Sequence, residues 1–567
     1  MIEQNWQVVE THDADKVESF AQELNSSHVL ARVLLNRGID AVEDARRYFI
    51  PKIEHLHDPF LMTGMTAAVE RIGQALRDRE KILVFGDYDV DGTTATSLLL
   101  LFFKGLGHPV DYYVPDRLSE GYGVSEKGIR FAHEKGAKLM ITVDCGITAV
   151  SEIEVARESG LDVIVCDHHE PGPRLPRAVS VLNPKREDCS YPFKELAGVG
   201  VAFKLLHGLQ QHMKLDEAPL FDLLYLVAIG SAADIVPLVD ENRVFVRLGL
   251  RQLGQSTLNI GLRAMFDVTS LTGKDIGTGQ IVFVIAPRIN AAGRLGDAGR
   301  AIRLLTSDDE EFVKETAAIL ETENKSRREI DERMLREALE LIYQKGDTGE
   351  ESIFVLHSEN WHPGVVGIVA SRIVDKYFRP AILIATENGR GRGSARSVPG
   401  FDIHAALKQC DDLMLEFGGH KYAAGLSVET DNIPKLRERL SAVASELLTD
   451  DMKKPLLRID SELAFRDIDA MLLKLLHKMA PFGPRNTRPT FLTRGVEIVG
   501  TPAIVGRNHL KFKVRQNGVV MDAIGFDLGD KKYRISSGER NVDLVYVVDE
   551  NEYQGRKTIQ LRVKDLR

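Results

Sequence analysis

Three short words carry the residues best equipped for chemistry. GDYDVDG supplies Asp87, Asp89 and Asp91, TVDCG supplies Asp144, and CDHHE supplies Asp167, His168 and His169. A fourth acidic position, Asp234, follows an apolar segment in AIGSAADIVPL. Carboxylates packed together repel and raise one another's pKa. A divalent cation removes that conflict, and oxygen plus imidazole donors suit Mn²⁺ or Mg²⁺ better than a thiolate set would. Two such ions roughly 3.5–4 Å apart activate a water and stabilise charge on a phosphoryl group. Singly, each word has a plainer reading. DxDxDG fits a calcium loop or an acidic turn, although the EF-hand pattern wants a further Glu and flanking helices. Asp144 alone fits a helix N-cap, and the His pair alone fits a structural role. Their joint occurrence favours a metal centre.

The elements that must position these residues can be read from the pattern around them. KILVFGDYD is a short apolar run ending in carboxylates, and TTATSLLLLFFKGLG reads as a helix stopped by glycine. PVDYYVPD, KLMITVDCG, DVIVCDHHE and AVSVLNP are further strands, with KGIRFAHEKG and AVSEIEVARESG as helices between them. Alternation of this kind predicts an α/β fold with a parallel, helix-covered sheet. In such sheets ligands bind at the carboxyl ends of the strands, so Asp87, Asp89, Asp91, Asp144, Asp167, His168 and His169 should converge on one edge, with Asp234 able to reach it.

The rest of the chain divides by composition. Residues 1–45 read as an N-terminal lead-in with helical character between Glu18 and Gly38, and residues 46–307 as the parallel-sheet domain. Residues 308–345 read as a long linking helix, with Ile330, Met334, Leu335, Ala338, Leu341 and Ile342 at helical spacing; its charges form a solvated face. A second, smaller α/β domain fills 346–450, where Pro363 is expected near the first turn of the helix VVGIVASRIVDKY. Short strands with Gly and Asn turns make 451–567 a small β-barrel.

Bulk properties narrow the classes. The 567 residues fit about three or four domains, and 44% hydrophobic content argues against wholesale disorder. The four cysteines form no CxxC pair, which excludes a zinc knuckle and a disulfide framework. The first residues lack a secretory pattern, and no apolar run is long enough for a bilayer. A cytoplasmic protein with no membrane association is expected. The net charge of -10 means that any nucleic-acid contact must use local basic patches.

The four acidic words resemble the motifs of the DHH phosphoesterase superfamily. PRINAAGRLGDA, WHPGVVGIVASRI, GRGSARS and FGGHKYAAG resemble the RecJ single-strand-specific exonucleases, in order and over nearly the whole chain. The resemblance implies a DHH catalytic domain, a DHH-associated domain and an OB-fold barrel. It implies a 5′→3′ exonuclease on single-stranded DNA, dependent on two Mn²⁺ or Mg²⁺ ions and serving DNA repair and recombination. It further implies a monomer working beside a helicase and a single-strand-binding protein. Asp89 and Asp91 match metal ligands of the first motif, Asp144 the acid bridging both metals, His168 the ligating histidine and Asp234 the ligand of the fourth motif. His169 matches the histidine beside the scissile phosphate, and Asp167 an acid that orients the pair. Small relatives carry a histidine where this chain has Phe85; either one metal site is weaker or Asp87 substitutes.

Phosphate contacts are expected from Arg288, Asn290 and Arg294, from Arg392, Ser394 and Arg396, and from Gly418, Gly419, His420 and Lys421. These combine planar cations, amide or hydroxyl groups and flexible glycine backbone. The plainer reading of each word is a tight surface turn. Trp361, Phe401 and Tyr422 could stack on bases, but a core role is the better expectation, as is a structural role for His362 and His404. On the barrel, Arg485, Arg488, Arg507, Lys511 and Lys513 are candidates for strand contact. Two competing classes are a nucleic-acid-binding scaffold that has lost its ligands and a hydrolase of small phosphates. The nearly intact ligand set argues against the first, and chain length with the basic C-terminal region argues against the second.

Overall fold

Ile82–Gly86 (β1) and Leu139–Val143 (β3) are buried at every residue, because helices cover both sheet faces. With Asp111–Tyr113 (β2), Asp162–Cys166 (β4) and Ser180–Leu182 (β5) they form a sheet of order β2-β1-β3-β4-β5, all parallel. The chain order reverses between β1 and β3, and a crevice opens at such a switch point. Phe85, on β1, is fully buried and packs on Tyr113 at 5.5 Å between ring centroids.

The computed structural model describes residues 3–9, 12–117, 119–255, 259–344, 351–536 and 541–567. They fall into two compact units, one of residues 43–325 with 479–488, the other of residues 1–42, 326–478 and 489–567. In the first unit, Val90–Gly105 (α1) follows β1 and is buried along most of its length. Gly198–Met213 (α2) and Leu224–Ala233 (α3) pack with it in one core. Ala286–Leu295 (α4) continues a helix whose preceding turn, Ile281–Ile285, is π-helical.

Glu310–Gln344 (α5) is the expected long helix; residues 345–350 lie outside the described residues. Val313, Ala317 and Leu320 bury in the first unit, while Met334, Ala338 and Ile342 bury in the second. Hence one helix shows apolar positions at helical spacing through both halves.

In the second unit, Phe354–Ser358 (β6), Ala381–Glu387 (β7), Arg390–Arg396 (β8), Glu416–His420 (β9) and Ala423–Glu429 (β10) form a mixed sheet of order β9-β10-β8-β7-β6. Val366–Tyr377 (α6) lies against it. Pro363 stands before that helix rather than in its first turn, in a bend where the Gly364 N–H donates to His362 Nδ1 at 3.1 Å.

The C-terminal barrel comprises Ser461–Glu462 (β11), Phe491–Val505 (β12), His509–Gln516 (β13), Val519–Gly525 (β14), Val542–Tyr553 (β15) and Arg556–Leu566 (β16). It closes in the order β12-β13-β14-β16-β15 and back to β12. The N-terminal segment is part of this unit. Asn5–Val8 pairs in parallel with Leu456–Ile459, and Trp6 Nε1 donates to Asp565 at 2.8 Å. Arg485 and Arg488, read from sequence as barrel residues, belong instead to the first unit. They sit in the excursion Met479–Arg488, where Arg485 pairs with Glu195 at 3.6 Å and Arg488 covers the Phe482 ring.

Candidate metal centre

The ends of β1, β3 and β4 bring the expected acids and imidazoles together. Asp87, Asp89 and Asp144 offer ligand atoms within 4.8 Å of one another, as do Asp91, His168 and Asp234, and Asp144, His168 and His169. Asp89 caps α1, accepting from the Asp91 and Gly92 amides at 2.8 and 3.1 Å. Asp91 lies in the first turn of the same helix and accepts from the first amides of α2, Gly198 N at 2.6 Å and Val199 N at 2.9 Å. A helix N-terminus suits an anion. Gly198 also passes so close to Asp144 that a Cβ there would stand 2.6 Å from its Oδ1. Asp144 itself adopts a left-handed backbone, φ 60°, a conformation that Asp tolerates better than most residues.

Three buried atoms in this cluster have no hydrogen-bond partner: Asp87 Oδ1, Asp144 Oδ1 and His168 Nε2. His168 Nε2 lies 3.1 Å from Asp144 Oδ1, 3.7 Å from Asp234 Oδ2 and 3.8 Å from Asp91 Oδ2. Burial first, and mutual repulsion second, hold the Asp87, Asp91 and Asp144 carboxyls well above the usual range. Burial, with Asp89 nearby, pushes Asp234 up to about 7; its place at the C-terminal end of α3 works in the same direction. Burial pushes His168 down to about 3, leaving a neutral ring with a lone pair. Unpaired oxygens around a neutral imidazole are the donor set of a hard divalent cation, so the residues fit Mn²⁺ or Mg²⁺. Phe85 contributes nothing here, its ring lying in the core, and Asp87 stands in the group with Asp89 and Asp144.

Asp167 does not join these groups. Its Oδ1 accepts from His168 N, His169 N and His169 Nδ1 at 2.7, 3.1 and 2.7 Å, and its Oδ2 from Ile147 N at 2.9 Å. Burial would lower the His169 pKa, but the Asp167 bond and charge outweigh it and push it up to about 8. Asp167 is correspondingly held below the usual carboxylate range: its bond and ion pair with His169 outweigh burial.

Two residues that sequence reasoning missed stand beside the cluster. Tyr122 Oη donates to the Asp144 carbonyl at 3.0 Å and lies 3.0 Å from His169 Nδ1. Arg117 covers the Tyr88 ring at 5.0 Å and lines a cavity of ≈270 Å³ with Tyr88, Glu120, Gly293 and Asp297. The available signals were the flexible GYG word and an arginine just after a strand. The backbone amides of Gly198 and Val199 carry no sequence signal beyond the glycine itself.

The expected phosphate residues divide. On α4, Gly293 sits where a Cβ would be 2.7 Å from the Tyr88 carbonyl, so the PRINAAGR helix abuts the first motif. Arg294 is close enough to act on Tyr88 electrostatically, and Asn290 is half-buried. Arg288 is buried, with Nε paired to Glu321 and Nη1 donating to the Val284 carbonyl at 2.6 Å. Its observed contacts hold α4 rather than face solvent.

In the other unit, Arg392, Ser394 and Arg396 alternate along one face of β8. Ser394 stands opposite Gly425, which stands opposite Gly418, and Arg396 lies in the same row as Ala423 and His420. A Cβ on Gly367, in the first turn of α6, would be 2.9 Å from Ser394 Oγ and 3.0 Å from Arg396 Nη2. A helix start, an arginine and a hydroxyl thus meet at one place, an arrangement suited to an anion. Gly419 occupies the opposite-face register, and Lys421 is exposed in the following turn, near the Tyr422 ring. Trp361 and Phe401 are core residues; Trp361 Nε1 donates to Glu337 at 3.0 Å. His404 packs on Phe417. On the barrel, Arg507, Lys511 and Lys513 are exposed, and Lys513 pairs with Asp522 at 3.6 Å.

Comparison with known proteins gives a consistent result. Residues 81–231 match the DHH family N-terminal domain, 350–446 the DHHA1 domain and 459–565 the RecJ OB domain. The chain is 41% identical to the single-stranded-DNA-specific exonuclease RecJ of Bacillus subtilis over 99% of its length and 70% of the relative's. It is 35% identical to the Escherichia coli protein of the same name, covering 95% of each. Its fold is similar to that of Thermus thermophilus RecJ in complex with Mn²⁺, with a TM-score of 0.85 and 30% identity over 99% of this chain and 79% of the other.

Proposed function

The chain belongs to the RecJ family of single-stranded-DNA-specific exonucleases, and from that membership we propose how its own residues cut a single strand. It is a metal-dependent exonuclease acting on single-stranded DNA. The observation that carries the reading is the set of unpaired buried atoms on Asp87, Asp144 and His168.

Asp91, His168 and Asp234 would hold one cation, Asp87 and Asp89 the other, and Asp144 would bridge them. Bound there, two divalent cations would supply charge to the phosphoryl oxygens and activate a water. The Gly198 and Val199 amides fix Asp91 for that task. Asp167 commits His169 Nδ1, so Nε2 is the ring nitrogen left to give a proton to the departing oxygen. Arg294 and Asn290 would grip a neighbouring phosphate. Ser394 and Arg396, with Arg392, His420 and the Gly418–Gly419 backbone, would receive a terminal phosphate and so select the 5′ end. Lys421 would add charge at the edge of that face.

The proposal extends to 5′→3′ polarity and to work in DNA repair and recombination in the cytoplasm, as a monomer beside a helicase and a single-strand-binding protein. No helix among the described residues is long and apolar enough to cross a membrane. Digestion of a strand labelled at one end or the other, in Mn²⁺, Mg²⁺ or EDTA, tests the core of it. The 5′ label should be released first, and EDTA should stop release. Early loss of the 3′ label would reverse the polarity, and undiminished cutting in EDTA would end the metal reading.

A further inference from the structure

Asp234 reaches the cluster from a strained loop. It follows α3, and Ile235, the next residue, has φ 61° with 63% of its surface exposed. A β-branched residue rarely adopts that backbone, and such strain persists only where the surroundings over-determine the chain. Two restraints lie just downstream. Asn242 Nδ2 donates to the Pro237 carbonyl at 3.0 Å, and Leu238 N donates to the Pro484 carbonyl at 2.9 Å.

Pro484 belongs to Met479–Arg488, the excursion that packs with this unit between two barrel elements. Its turn is held by reciprocal backbone bonds between Gly483 and Asn486, both 3.0 Å. Gly483 lies flat on the buried Leu238 side chain, and a Cβ there would be 2.6 Å from Leu238 Cδ1. Asn486 is fully buried. It accepts from Tyr48 Oη at 2.8 Å and donates to the Met479 and Pro481 carbonyls at 3.0 and 2.7 Å. Arg243, also buried, donates to the Met479 and Ala480 carbonyls at 3.0 and 3.1 Å and stacks on Tyr48. Apolar packing would cover the same surface without desolvating a guanidinium and an amide. A satisfied polar network instead fixes one orientation.

We propose that Met479–Arg488 is a positioning segment for Asp234: it holds Leu238 and thereby keeps the strained loop in the conformation that points this carboxylate at the metal cluster. Asn486 and Gly483 are positioning residues, not ligands. The proposal rests on Asp234 being a metal ligand.

Mn²⁺ titration, read by the electron paramagnetic resonance of free Mn²⁺, separates this role from general stability. Asn486→Ala should weaken Mn²⁺ binding by about tenfold, the lower end for residues that orient ligands. In an Asp234→Ala background the same change should matter by less than about twofold, because the group it acts through is gone. Gly483→Ala keeps the Asn486 bonds, presses only on Leu238, and should reproduce the loss; it carries the test if Asn486→Ala does not fold. Unchanged Mn²⁺ affinity in the folded variants, or an equal loss in both backgrounds, would overturn the proposal while leaving the metal centre intact. A wild-type protein that binds no Mn²⁺ would overturn both.

Discussion

At the scale of single residues, the site is a set of groups held in states that water would not allow. Asp234, with an ordinary value of 3.8 and a folded value of about 7, binds its proton more tightly in the folded chain. Asp234's contribution to metal-free stability therefore falls as pH rises from about 4 through about 7, because the unfolded chain ionises this group first. Asp234→Asn removes that penalty. Without metal, the variant's melting temperature should exceed the wild type's by a margin that grows across this pH range, and a constant margin would count against the assignment. Gly198 makes a second case. A methyl group there would meet the Asp144 carboxyl at 2.6 Å, so Gly198→Ala should displace that carboxyl, the one proposed to serve both cations. Mn²⁺ affinity should fall by at least about tenfold, as measured by calorimetry.

At the scale of elements, the catalytic unit works through helix ends. The start of α2 gives the Asp91 carboxyl two amide donors, while the end of α3 delivers Asp234 where a helix disfavours an anion and a cation is welcome. The mixed sheet uses a different device, strand register. Period-two alternation puts Arg392, Ser394 and Arg396 on one face and turns Gly391, Gly393 and Ala395 to the other, where there is room only for small residues. Arg396→Ala leaves that packing alone and removes one cation beside the first turn of α6. It should raise KM for a 5′-phosphorylated strand by roughly ten- to 150-fold, corresponding to about 1.5–3 kcal/mol for a charged hydrogen bond, and leave a 5′-hydroxyl strand nearly unaffected. An equal change for both substrates would remove Arg396 from end selection.

At the scale of the molecule, sequence order and spatial membership diverge. Residues 3–9 complete the barrel's unit through Asn5–Val8 and Trp6, whose ring also carries the Arg567 guanidinium at 4.4 Å. Trp6→Ala should lower the stability of the full chain by about 1–3 kcal/mol, visible as an earlier urea transition, and an unmoved transition would make this contact dispensable. Conversely, Met479–Arg488 leaves the barrel sequence to pack with the catalytic unit. Composition cannot announce such an excursion, because Pro, Gly and Asn there read equally well as a barrel turn.

The sequence by itself determined the parallel sheet, the long helix, the barrel and the acids at the strand ends. Each of these follows from local periodicity, and β1, β3 and β4 place their last residues on one edge by chain direction alone. Tertiary structure decided which groups keep their hydrogen bonds. Arg288 turned inward to Glu321, Phe85 went to the core, Asp167 took the His169 ring while Asp144 Oδ1 was left without a hydrogen bond, and Tyr122 arrived from a loop. Pairing of this kind depends on distances between segments remote in the chain, and no local pattern of residue types encodes them.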